Sequence, residues 1–234
     1  MKKLTTALLA CSALFTAASN AAIVTINGAD VSFTYDDSTV FGSANVVGNS
    51  IFFQPTNFIA ESLNDAGAVS LRETLTIDVQ ATTTGYDMSS FLLAEQGDYQ
   101  LKGSSSSVSA SGRLGVASMT TATCGTFGIM VCNDFNIFNV ANSDLNTVGA
   151  LTAWNGSTSV DLADTIGWGS DSFVQLSLQN NLSATSTVIG DEAMIQKKFG
   201  AIGITVNPVP VPAALWLFGS GLIGLAAFVK RKKT

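Results

Sequence analysis

The chain contains no histidine. That absence removes the Ser–His–Asp and Cys–His nucleophile pairs and every imidazole-ligated metal site. A catalytic serine would need another base, and the nucleophile-elbow pattern is also missing: in Gly167-Trp168-Gly169-Ser170-Asp171 the serine is displaced by one position. Glycoside hydrolysis needs only two carboxylates. Glu61, Glu73, Glu95 and the aspartates supply candidates without selecting a pair. The chain is therefore read as a non-enzyme, with a secreted hydrolase as a further alternative.

Basic residues are scarce outside the two ends. All 17 acidic residues lie between Asp30 and Glu192, whereas the body of the chain keeps only Arg72, Lys102, Arg113, Lys197 and Lys198, for a net charge of −12. The whole-chain value of −6 hides this split. Such a surface repels phosphate backbones, which argues against a nucleic-acid partner. It is compatible with divalent cations or a cationic polymer.

Proline is scarce too, with four in 234 residues. Three of them, Pro208, Pro210 and Pro212, fall at one junction. Residues before proline are pushed into extended conformations, and Pro212 suits the first position of a helix. Ala213 to Val229 follows without a charge. As a helix it would be about 25 Å long, slightly short of a hydrocarbon core of about 30 Å. Lys230, Arg231, Lys232 and Lys233 then form a cytoplasmic stop. The segments 208–234 therefore divide into a proline-rich motif, a transmembrane helix over 213–229 and a basic tail over 230–233.

The opposite end begins Met1-Lys2-Lys3, continues through an apolar run from Leu4 to Thr16, and offers small residues at Ser19 and Ala21. Residues 1–21 are read as a secretory signal peptide, with cleavage after Ala21 and after Ala22 as second choice. Leu8-Leu9-Ala10-Cys11 faintly resembles a lipoprotein box, but the apolar run before it is too short. Of three cysteines, Cys11 would leave with the signal. Cys124 and Cys132 then form an even pair in an oxidising compartment, which reads as one disulfide. Closing a loop of about nine residues should stabilise by roughly 2–3 kcal/mol.

In order and spacing, Val209-Pro210-Val211-Pro212-Ala213, the glycine-bearing apolar span and the basic stop resemble the VPxPA (VPLPA-CTERM-like) variant of the PEP-CTERM sorting domain. Val211 stands where the commoner form has glutamate. The resemblance implies processing by an exosortase, a membrane transpeptidase of Gram-negative bacteria that make exopolysaccharide. It implies an exported protein, transiently anchored in the inner membrane and then placed at the cell surface or in a biofilm matrix.

Between the signals, residues 22–207 suit one all-β domain, a β-sandwich or jelly-roll-like ectodomain. Apolar residues alternate in Val31, Phe33 and Tyr35; in Leu71, Leu75, Ile77 and Val79; in Phe135 and Ile137; in Val174, Leu176 and Leu178; and in Ile202, Ile204 and Val206. Turns are expected at Asn27-Gly28, Gly48-Asn49, Ala66-Gly67, Gly97-Asp98, Asn155-Gly156 and Gly190-Asp191. Ser104 to Ser107 reads as a loop tip, and one short helix is expected between Asn57 and Asp65.

A polysaccharide-binding, lectin-like module is the alternative function. Trp154 and Trp168 lie in turn-rich stretches, and Asp36 and Asp37 close a strand at a loop. Aromatic faces with nearby carboxylates can hold sugar hydroxyls, and a structural Ca²⁺ on oxygen ligands would fit such a module. No other cofactor is expected. Core packing for the tryptophans and turn formation for the aspartates are the competing readings.

Overall fold

The computed structural model describes residues 22–120 and 132–208. The signal peptide, Cys124, the motif from Val209 onward, the span over 213–229 and the basic tail lie outside the described residues. Twelve strands are described: β1 (Ile23–Asn27), β2 (Val31–Asp36), β3 (Ala44–Val47), β4 (Ser50–Phe53), β5 (Ile59–Leu63), β6 (Gly67–Ala81), β7 (Tyr86–Lys102), β8 (Ser106–Ser118), β9 (Asn133–Asn139), β10 (Thr152–Asp161), β11 (Phe173–Ser186) and β12 (Glu192–Pro208). Two single-turn 3₁₀ segments, Asn142–Asp144 and Leu162–Asp164, interrupt the loops. Among the described residues no helix is long and apolar enough to cross a membrane.

The strands form two antiparallel sheets. One runs β1-β2-β6-β11-β8-β9, the other β10-β7-β12-β4-β3, with β5 on the β4 side of β12. Beside β12, β5 pairs Glu192 to Gln196 and β4 pairs Gly200 to Gly203. The sheets stack as a β-sandwich, and period-two alternation supplies its interior. Val31, Phe33 and Tyr35 face inward from β2, as do Leu75, Ile77 and Val79 from β6 and Val174, Leu176 and Leu178 from β11. Ile202 and Ile204 do the same on β12, with Val206 half-buried. Aromatic rings close one part of the core: Tyr35 meets Phe53 edge-on at 5.4 Å, and Phe41 lies 5.6 Å from Phe58.

Several local expectations change. The segment expected to be helical carries β5 instead, because Ala60 and Ser62 are buried while Ile59, Glu61 and Leu63 are exposed, a period of two that β12 pairs. The chain turns straight after it, where Asn64, Asp65 and Gly67 all have positive φ, at 52°, 65° and 73°. Ser104 and Ser105 form the expected tip of the tight β7–β8 connection, but Ser106 and Ser107 already belong to β8; the Asp191 carboxylate accepts from the Ser105 amide at 2.9 Å. Phe135 and Ile137 are 54% and 52% exposed, because β9 turns Phe138 toward the core instead.

Gly97-Asp98 and Asn155-Gly156 are not turns. They lie mid-strand in β7 and β10, with Trp154 opposite Gly97 and Gly156 opposite Glu95. A Cβ on Gly97 would sit 2.7 Å from the Trp154 ring and 1.9 Å from the Gln196 carbonyl oxygen. These glycines make room for neighbouring groups, which is a second use of glycine within strands.

Candidate functional site

Three polar side chains meet inside the sandwich. Glu95 projects inward from β7, Asn180 from β11 in the opposing sheet, and Lys197 from β12. All three are at most 1% exposed. The Lys197 ammonium nitrogen lies 3.0 Å from Glu95 Oε1 and donates to Asn180 Oδ1 at 2.5 Å. The Asn180 amide nitrogen donates to both Glu95 oxygens at 2.6 Å. Above them, Lys197 Nζ stands 5.0 Å from the Phe41 ring centre and 5.9 Å from that of Phe58. Each of the three groups therefore touches the other two, and aromatic rings stand close to the lysine end.

The backbone builds this meeting. Ala193, Ile195 and Lys197 face inward on odd positions of β12, whereas Gly200, Ile202 and Ile204 do so on even ones. A β-bulge between Lys197 and Phe199 makes the change of phase. Gly200 pairs with Glu95, and Gly112 on β8 pairs with Asn180. A Cβ on Gly200 would lie 2.9 Å from Lys197 Nζ, and one on Gly112 would lie 3.2 Å from the Asn180 amide nitrogen. The polar groups thus occupy space left by two glycines.

Burial sets the protonation balance. Desolvation pushes the Glu95 carboxyl up from its ordinary value, and the charge of Lys197 and the hydrogen bond from Asn180 offset this only in part. Desolvation likewise pushes the Lys197 amine down, against the pull of Glu95. Both shifts favour the neutral acid and the neutral amine. Isolated buried charges cost several kcal/mol each, so a proton shared within this cluster is the cheaper arrangement.

The residues expected to bind sugar sit elsewhere. Trp154 and Trp168 are each 3% exposed and belong to the core, so neither ring offers a free face for stacking. Trp154 Nε1 donates to the Gln196 carbonyl at 3.1 Å. Trp168 Nε1 has no hydrogen-bond partner among the described residues. Asp36 accepts from the Ser38 hydroxyl at 2.6 Å and the Ser38 amide at 2.9 Å, which holds its carboxyl below the ordinary value. Asp37 donates its amide to the Ala22 carbonyl. No hydrogen bond or ring contact joins these four residues to one another.

Among the described residues no three Cys, Asp or Glu side chains gather as a metal site. A surface cavity of about 460 Å³ is lined by hydroxyls and carboxamides, including Ser104, Ser107, Asn142 and Asn146, with no carboxylate. A smaller one of about 270 Å³ is lined by Gln96, Asp98, Trp154, Asn155 and Lys198, among others. Cys132 is fully buried, and its expected partner Cys124 is outside the described residues.

Sequence reasoning counted Glu95 among unassigned acids and Lys197 among scarce bases, and passed over Asn180. A signal was present. Each stands at an apolar phase of an alternating run: Phe91, Leu93, Glu95; Leu178, Asn180, Leu182; Ala193, Ile195, Lys197.

Residues 208–232 match the PEP-CTERM protein-sorting motif. The match begins at the last residue of β12. No curated protein matches the chain. Among solved structures, the infectious bursal disease virus VP2 subviral particle is similar at a TM-score of 0.30 and 9% identity, over 70% of this chain and 42% of that one. The chain thus spans less than half the length of that viral protein. TmCBM61 in complex with β-1,4-galactotriose gives 0.24 and 11%, over 78% and 88% of the two chains. Winged bean acidic lectin complexed with methyl-α-D-galactose gives 0.22 and 10%, over 70% and 100%.

Proposed function

We propose that this protein is an exported structural component of the cell surface or biofilm matrix, held at the inner membrane until an exosortase processes its tail. The observation that carries this reading is the junction at Pro208, where β12 ends and the sorting motif begins. β12 is an interior strand of its sheet, paired with β7 along its whole length. Cleavage beyond Pro208 would release the sandwich without removing a strand from it.

Val209-Pro210-Val211-Pro212-Ala213 would be the recognition segment, of the VPxPA type. Its prolines favour an extended backbone beside the membrane. Lys230 to Lys233 would hold the span against the cytoplasmic face until cleavage. Mass spectrometry of the mature C-terminus tests this. Loss of the basic tail is expected in cells with a working exosortase; a protein still ending at Thr234 in those cells would sink the reading.

A second reading, polysaccharide binding, draws on the smaller cavity around Asp98, Asn155 and Lys198. A glycan array with and without Ca²⁺ separates the two. Binding abolished by Asp98→Ala and Asn155→Ala favours it, and absence of binding to the host exopolysaccharide removes it.

A further inference from the structure

We propose that Lys197 and Asn180 join in an intramolecular isopeptide bond, formed by the fold itself with Glu95 as the catalytic acid–base. The bond would run from Lys197 Nζ to Asn180 Cγ and would tie the two sheets together covalently.

The geometry supplies each requirement. The nucleophile is an amine at 2.5 Å from the carboxamide oxygen. With a C=O length of about 1.23 Å, the carbonyl carbon lies within about 3.7 Å of the nitrogen. That is close to the separation of about 3–3.5 Å at which reacting atoms stand in a near-attack arrangement. The electrophile is held from its other side, since the Asn180 amide nitrogen, which would leave, donates to both Glu95 oxygens. Glu95 Oε1 also touches Lys197 Nζ. One carboxyl group therefore contacts both the nitrogen that must lose a proton and the nitrogen that must gain one.

The step balances within the three residues. Glu95 takes a proton from the Lys197 ammonium, leaving a neutral amine and a neutral acid. The amine lone pair attacks Asn180 Cγ, and the C–N bond forms. The Cγ–Nδ2 bond then breaks. Glu95 passes a proton to the departing nitrogen and recovers one from the new amide nitrogen, so ammonia leaves and the acid is regenerated. No oxidant, metal or second substrate enters. Burial of all three groups favours the neutral reactants, consistent with the upward shift of Glu95 and the downward shift of Lys197. It also keeps bulk solvent from competing as a nucleophile.

Here the bulge after Lys197 and the glycines at 200 and 112 open space for these groups to converge. The product would couple β11 to β12, central strands of opposite sheets, directly upstream of the sorting motif. An exported structural protein gains resistance to pulling and to proteolysis from such a tie, without needing more core.

Peptide mapping of the full chain, expressed with export and purified under reducing, denaturing conditions, decides the matter. After Arg113 the next basic residue is Lys197, so one tryptic peptide beginning at Leu114 carries both partners. A glutamate-specific protease then cuts after Glu192 and separates them. The expected result is two fragments still joined, about 17 Da lighter than their sum, with trypsin unable to cut at Lys197. The Glu95→Gln chain should give linear fragments of full mass, and Glu95→Asp a reduced yield of joined ones. Linear fragments from the wild type would overturn the proposal. So would a loss of about 17 Da confined to the Asn180 fragment with Lys197 still cut, which marks a succinimide. Full joining in Glu95→Gln would overturn the role given to Glu95. The wild-type map decides the bond even if that variant fails to fold.

Discussion

Gly200 stands directly opposite Glu95 in the β7–β12 ladder, and the Lys197 ammonium fills the space where a side chain on Gly200 would begin. A Cβ there would lie 2.9 Å from Nζ and 3.0 Å from Cε. The lysine end is pinned by Glu95 and Asn180, so it cannot simply swing aside. Gly200→Ala should cost about 1–3 kcal/mol, as overpacking of a filled core does. The denaturant midpoint should fall with an unchanged m-value. Adding Lys197→Met should give less than the sum of the two single effects, because the methyl group would no longer meet a pinned side-chain end.

Trp154 tests whether an aromatic in a turn-rich stretch is a binding platform or a packing element. Its indole nitrogen donates to the Gln196 carbonyl and its ring lies over Gly97. Trp154→Phe keeps most of the ring and loses the hydrogen bond, so stability should drop by about 1 kcal/mol. Chemical denaturation reads this directly. A variant that kept full stability but lost glycan binding would reverse the assignment.

The fold class was legible because one physical rule, alternation against a two-sheet core, runs through β2, β6, β11 and β12. What was not legible followed from glycine. Gly97 and Gly156 carry the same letters as turn glycines, yet they sit mid-strand under Trp154 and Phe138. Only the pairing of distant strands distinguishes the two uses. The buried cluster was hidden similarly. Glu95 and Lys197 are 102 positions apart and Asn180 belongs to another sheet, and only the bulge at Lys198 brings the amine to the acid. The tail, by contrast, carries its meaning in local order and spacing, so residues 208–232 could be read without a structure.

Asp36 should titrate below its ordinary value of 3.8, chiefly because the Ser38 hydroxyl and amide both donate to Oδ1. A depressed carboxyl contributes stability above its unfolded value and loses it as pH falls through the folded one. Wild type should therefore exceed Asp36→Asn in stability at neutral pH, and the two should converge in acid below 3.8. The group is exposed, so the gap should be small. A carbon-detected NMR titration of Asp36, alongside denaturation at several pH values, checks both. A midpoint above 3.8 would contradict the turn assignment.

Cys132 is fully buried just before β9 begins, and its carbonyl accepts a hydrogen bond from the Ser118 amide of the neighbouring β8 at 2.8 Å. If Cys11 leaves with a signal peptide, as the sequence reading expects, Cys124 is the expected partner. Alkylation without reduction should leave both thiols unlabelled, and reduction should lower stability by roughly 2–3 kcal/mol. Labelling of Cys124 and Cys132 in freshly exported protein would refute the pairing.

Phe138 occupies the gap between two glycines on opposite sheets. A Cβ on Gly112 of β8 would lie 2.3 Å from Phe138 Cε1, and one on Gly156 of β10 would lie 2.1 Å from Cε2. β9 and β10 are the edge strands on this side of the sandwich, so the ring fills the seam between the sheets. Phe138→Ala should cost about 3–5 kcal/mol through the cavity it leaves. Gly156→Ala is the more discriminating change. If that glycine only relaxed the backbone, alanine would stabilise the strand by about 0.5–1 kcal/mol. If it makes room for the ring, alanine should destabilise by about 1–3 kcal/mol. Combining Gly156→Ala with Phe138→Leu should recover part of that loss, since the smaller side chain vacates the contested space. The sign of the single substitution, measured by urea denaturation, therefore decides between a glycine chosen for its backbone and one chosen for what it lets in.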